Sequence, residues 1–243
     1  MRVENGIAIL QGTPEIAVVL RRSVQARRLS LRVSGLDGRV TLTLPKSLRL
    51  QDALEFLQER ESWLRAAVTR VPEMSPVGIG QEIMLHGKIV RITQGTGPRL
   101  GVEGAQLLVP PDPTGTRTAL RVATYLKASA RAALVPASER YAAALGRPIG
   151  AIALRDTRSR WGSCTAQGRL MYSWRLIMAP PEVLHYVAAH EVAHLEHMDH
   201  SRNFWACVAQ LMPEYKQHRH WLRDNGALLH SYCFTSRPCA DNG

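Results

Sequence analysis

The run His190-Glu191-Val192-Ala193-His194 constrains this chain more than any other feature. Residues four apart share one face of an α-helix within a single turn, whereas in a strand they lie about 13 Å apart. Two imidazoles at this spacing can meet one metal ion only if the segment is helical. Pro181 supplies a favoured first-turn residue ahead of it, so 181–197 reads as a helix. Glu191 sits one position on, about 100° around the axis, and leaves that face. It is placed to act on a metal-activated water as general base while the histidines hold zinc.

Tetrahedral zinc with two protein ligands is incomplete, so a third must come from elsewhere. Five of the nine histidines crowd together: His185, His190, His194, His197 and His200. His197 continues the helical stripe but stands about 10 Å along the axis from His190. His200 follows Met198-Asp199, just before Ser201, a residue suited to cap the next helix, and there the chain can turn back. Its offset from His190 equals the third-ligand offset of the pattern H-E-x-x-H-x-x-G-x-x-H, although His197 stands where that pattern has Gly. His200 is the preferred third ligand and His197 the alternative, with one zinc per chain expected. His185, His86, His218, His220 and His230 read as ordinary surface or packing histidines.

Elsewhere the pattern is strands first and helices later. Leu29, Leu31 and Val33 alternate with polar neighbours, as do Val40, Leu42 and Leu44, around Gly35-Leu36-Asp37-Gly38; this predicts a β-hairpin. Residues 50–70 carry apolar side chains at helical spacing and predict one amphipathic helix. Short apolar runs cut by glycines over 79–109 predict further strands. Pro110-Pro111-Asp112-Pro113 is the clearest linker. After it, 117–145 is helical, with Pro136 expected to open a second helix and Gly146 to end it. Residues 152–178 return to strands around a turn at 165–168, and 181–197, 202–212 and 214–224 read as three helices closed by Gly226. The fold class is therefore α+β. The expected organisation is a β-rich region over 1–110 with one helix, a catalytic domain over 114–226 and a flexible tail over 227–243.

Composition bears on partners and compartment. The chain has 243 residues, with Lys+Arg at 31 against Asp+Glu at 20, a net +11. The excess is concentrated in the first fifty residues, nine basic against three acidic, and includes Arg21, Arg22, Arg27, Arg28 and Arg32; residues 151–200 balance at five and five. Such a run can approach nucleic acid or another anionic ligand, or can simply be a solvated face. The start MRVENGIAIL places charges where a secretion signal needs apolar residues, and no stretch is long and apolar enough to span a membrane. The four cysteines, Cys164, Cys207, Cys233 and Cys239, form no C-x-x-C pair and read as free thiols of a cytoplasmic protein.

Arg160-Trp161-Gly162-Ser163-Cys164, Trp174-Arg175-Leu176-Ile177, Ala179-Pro180-Pro181, His190-Glu191-x-x-His194 and His200-Ser201-x-x-Phe204-Trp205 occur in that order. As an ordered set they resemble the YgjP-like metallopeptidase family, relatives of the SprT- and WLM-type zinc proteases. The likeness runs from about Arg155 to Gly226 and more loosely to the Arg27–Val33 hairpin. It implies a zincin-like catalytic domain, zinc on His190, His194 and His200, Glu191 as base and a peptide or protein substrate. It also implies that strand 170–178 lies beside the active helix, with an edge to which a peptide can add.

Arg160 and Tyr215 are candidates for stabilising the oxyanion or holding substrate, beside the plainer readings of ion pair and core aromatic. Cys164 and the tryptophans Trp161, Trp174 and Trp205 read as packing residues. Two other functions fit the same residues: a metal-dependent hydrolase of nucleotides or phosphate esters, and a DNA-associated zinc protein or protease using the basic N-terminal face.

Overall fold

In the computed structural model, which describes residues 1–35 and 38–235, five short strands precede the first helix. These are β1 (Arg2–Glu4), β2 (Ile7–Leu10), β3 (Ile16–Ser23), β4 (Ser30–Val33) and β5 (Val40–Pro45). They form one sheet in the order β1-β2-β3-β5-β4. The predicted hairpin is present, with Leu31 opposite Leu42 and Arg32 opposite Thr41; Leu36 and Asp37 of its expected turn lie outside the described residues. Strand periodicity sets the core: Ile16, Val18, Val40, Leu42 and Leu44 are buried and the residues between them are not.

That apolar face packs on Ala53, Leu57 and Leu64. Ala53 and Leu57 belong to α1 (Leu50–Glu59) and Leu64 to α2 (Glu61–Thr69). The single helix expected over 50–70 is thus two, broken at Arg60, which takes φ −99°, ψ 5° and lays its guanidinium over the Phe56 ring. Part of the basic cluster is spent on this unit itself: Arg22 donates to the carbonyls of Lys46 and Leu48.

The chain divides by packing between Glu73 and Met74, not at the proline-rich linker. The reason lies in the next strands: β6 (Ser75–Pro76), β7 (Glu82–Leu85), β8 (Lys88–Gln94), β9 (Gly101–Glu103) and β10 (Gln106–Val109). Ile83, Leu85, Val90, Ile92, Leu107 and Val109 all enter the core of the second unit. The linker itself serves the following helix, α3 (Thr118–Leu145). Asp112 accepts from the backbone N–H of Arg117 and of Thr118, each at 2.8 Å, satisfying donors that a helix start leaves free.

Pro136 does not open a second helix; α3 runs through it. Leu134, Ala137, Ser138 and Tyr141 are buried around it, and the Ser138 hydroxyl donates to the Leu134 carbonyl at 2.7 Å while pairing with the Tyr172 hydroxyl. Tertiary burial on both sides outweighs the backbone hydrogen bond that proline cannot make. Gly146 ends the helix as expected, at φ 64°.

β11 (Ala151–Arg155), β12 (Gly162–Cys164) and β13 (Arg169–Ser173) form a sheet in the order β11-β13-β12. The strand expected to reach 178 stops at Ser173, and Trp174–Met178 is a 3-10 helix with all five side chains buried. A strand would send alternate residues to opposite faces, so it could not bury five in a row on one side. β13 is the central strand, and the edge beside the active helix is β12 instead.

Three helices follow: α4 (Pro181–Ala193), α5 (Arg202–Leu211) and α6 (Tyr215–Ser231). Ser201 caps α5, its hydroxyl accepting from Phe204 N–H. Gly226 does not end α6. It is the place where the Trp161 ring packs, and a Cβ there would come within 3.1 Å of that ring. The tail expected from 227 is likewise ordered through its described part: α6 continues to Ser231, and β14 (Tyr232–Cys233) pairs with β6. Residues 236–243 lie outside the described residues. Cys164 and Cys207 are free thiols, but Cys233 is disulfide-bonded, against the expectation for it. No described helix is long and apolar enough to cross a membrane.

Candidate metal centre

The last turn of α4 carries His190 and Glu191, and His194 closes it at φ −67°, ψ −16°. Beyond it the chain reverses in short turns, with both Glu196 and His197 N–H groups bonded back to the Ala193 carbonyl. That reversal returns His200 to the helix end, where its Nε2 lies 3.2 Å from His190 Nε2. One ligand nitrogen from each of His190, His194 and His200 lies within 4.8 Å of the others. Two nitrogens on a tetrahedral zinc, each about 2.0–2.1 Å from the ion, are about 3.4 Å apart. The donor set and the spacing therefore fit a divalent metal.

His197 enters differently from the alternative role considered for it. Its side chain stands outside the three-histidine group, but its carbonyl is 2.9 Å from His194 Nδ1. A carbonyl can only accept, so Nδ1 carries the proton and Nε2 keeps its lone pair. His190 is oriented by packing, because its Nδ1 is buried with no hydrogen-bond partner among the described residues. Phe204 is the common floor: its ring centroid lies 4.9 Å from His190, 4.5 Å from His194 and 4.7 Å from His200. Burial, helped by the other two imidazoles, pushes His190 down to about 3 and so keeps it neutral, as a ligand must be.

Glu191 is buried, 5% exposed, and burial pushes its carboxyl up to about 8 against the opposing charge of Arg160. Gly162 on β12 makes this burial possible. A Cβ there would sit 2.5 Å from Glu191 Oε1 and 2.6 Å from its Cγ. Gly162→Ala is expected to push the carboxyl out of place and, if Glu191 is the base, to lower kcat about 10²-fold with metal content unchanged, since small misplacements of reacting groups cost that much. Steady-state kinetics beside metal analysis check this; wild-type turnover in the variant would remove Gly162 from the account.

The other sequence candidates are placed as follows. Arg160 is exposed and acts on Glu191 through its charge. Tyr215 is buried and stacked on Trp205, centroids 5.4 Å apart, and on Tyr186. Trp205 itself lies against His190 and His200. Trp161 packs on His230, and Trp174 is in the core, as expected. Cys164 lies outside the ligand group, its thiol pushed up to about 11 by burial and then by Glu191. His185 lies 3.3 Å from Arg140 and is not part of the three-histidine group. Sequence reasoning gave no role to Gly162, Phe204, Arg175 or Arg219. The first three lie in runs that the ordered motif set contains, but spacing alone assigns them no chemistry.

The family model for the YgjP-like metallopeptidase domain matches residues 27–225. This chain belongs to the YgjP-like family. As a YgjP-like protein it is a metallopeptidase, a peptide-bond hydrolase, and the three-histidine group is where its divalent metal can bind. Among solved structures, the crystal structure of the metallopeptidase zymogen of Pyrococcus abyssi abylysin is similar at 20% identity and a TM-score of 0.34, over 37% of the YgjP-like chain and 93% of its own. No curated protein matches by sequence.

Proposed function

We propose that the metal is zinc, held by His190, His194 and His200, and that Glu191 is the general base of an endopeptidase. The observation that carries the reading is three converging imidazole nitrogens beside a buried carboxyl one residue along the same helix. A zinc ion held there would supply Lewis acidity to a water and to the scissile carbonyl. Glu191 takes the proton of that water and returns it to the leaving amine. β12 pairs with β13 on one side only, and its Gly162 touches Glu191, so a peptide added to its free edge runs past the base. Arg160, exposed and with its charge reaching Glu191, is the better of the two oxyanion candidates, since Tyr215 is buried.

The zinc-loaded protein is expected to hydrolyse a denatured protein substrate, to stop on chelation and to recover with added zinc. His194→Ala and His200→Ala should weaken metal binding about 10²-fold or more, whereas His197→Ala, which keeps the carbonyl on His194, should still bind one ion. Hydrolysis that survives complete metal removal would refute the reading, and loss of the metal in His197→Ala would overturn the ligand assignment.

A further inference from the structure

One cation beside the centre has no part in the mechanism above. Arg219 lies one turn along α6 from Tyr215 and holds its guanidinium over the Trp205 ring, 4.6 Å from the centroid. That indole is the wall of the metal site, 5.6 Å from the His190 ring and 5.9 Å from the His200 ring. The Arg219 charge is felt at both Tyr186 and His190. Among the described residues no carboxylate pairs with it, although six of the other arginines do have such partners. A cation held by a ring keeps its five N–H donors available, because the ring attracts the charge without accepting their hydrogen bonds in place of a carboxylate. It is thus an exposed cation, without a carboxylate partner among the described residues, at the rim of a peptide-hydrolysing centre.

We infer that Arg219 selects substrates by taking a carboxylate of the peptide bound at the metal centre. The inference rests on the peptidase reading and adds to it a substrate class, acidic peptides. A planar fork and a carboxylate match in geometry as well as in charge, and an ammonium would not reproduce that match. A peptide offers this group in two places, on an Asp or Glu side chain and at its C-terminus.

The test uses the zinc-loaded full chain and peptides that differ only by Glu against Gln near the scissile bond, or by a free against an amidated C-terminus. Wild type is expected to favour the acidic member about tenfold or more in kcat/KM, mainly through KM. Arg219→Gln should erase the preference, Arg219→Lys restore part of it and Arg219→Glu reverse it. Loss of preference on amidation alone assigns the carboxylate to the C-terminus; loss with Gln alone assigns it to a side chain. Calorimetric binding of the same pairs to Glu191→Gln supplies a readout without turnover and should show the same ranking. A wild type indifferent to the carboxylate, or a preference that survives in Arg219→Gln with metal content intact, overturns the proposal while leaving the peptidase reading standing. A wild type that cleaves no peptide overturns both.

Discussion

Glu191→Gln is expected to lower turnover on peptide substrates by about 10³-fold or more while the chain keeps its metal. Positioned general bases contribute about 10²–10⁴ to a rate, and glutamine fills the same space against Gly162 without being able to take a proton. The same change should stabilise the metal-free protein. Burial raises the folded carboxyl from 4.5 to about 8, so the native state binds this proton more tightly than the unfolded chain. Its stability is therefore greatest below about pH 4.5 and is lost as pH rises through about 8. At pH 7 the cost is on the order of 3 kcal/mol, and glutamine carries no such cost. Thermal melts of the two metal-free proteins should nearly coincide at pH 5 and diverge at pH 8, with the variant higher. Bound metal should narrow the gap, because a nearby dication favours the carboxylate. A variant that melts below wild type at pH 8 would show that Glu191 is not held in a desolvated pocket.

The parts legible in the sequence are those whose chemistry depends on local spacing. His190 and His194 are informative because four residues make one helical turn, and His200 because an offset and a capping serine coincide. His197 shows the limit: its contribution is a backbone carbonyl, which every residue has, so no side-chain pattern reports it. Pro136 and Gly226 mark the opposite failure. Both are helix-breaking signals by intrinsic preference, yet both lie inside helices, one held by burial on either side and the other needed to admit Trp161. The boundary before Met74 was invisible for a related reason. Strands over 79–109 look alike whether their apolar faces turn to the unit before them or to the one after, and only packing decides. Gly162 has a glycine's usual ambiguity: its necessity comes from a carboxylate distant in sequence, not from its own backbone.

Arg175→Met is expected to cost about 3–5 kcal/mol of folding stability, mainly for the buried carbonyls it leaves without a donor. Arg175 is 8% exposed and makes four hydrogen bonds. Two go to Asp156, at 2.6 and 3.2 Å, and two to the carbonyls of Leu229 and Tyr232, at 2.9 and 3.0 Å. Leu229 is in the last turn of α6, where carbonyls have no partner within the helix, so the guanidinium completes the helix end. Its plane also lies near the Trp174 and Phe234 rings, 5.0 and 5.2 Å from their centroids. Methionine keeps much of the packing volume and none of the donors. Asp156 is half exposed and can be rehydrated, so the main loss falls on the two carbonyls, at about 1–3 kcal/mol each. Arg175→Lys should lose less, about 2 kcal/mol, because one ammonium cannot span the carboxylate and both carbonyls. Urea titrations should show midpoints falling in the order Arg, Lys, Met at a common slope. Equal midpoints for Lys and Arg would mean that charge alone, and not the fork spanning strand β14, helix α6 and Asp156, holds this end of the chain.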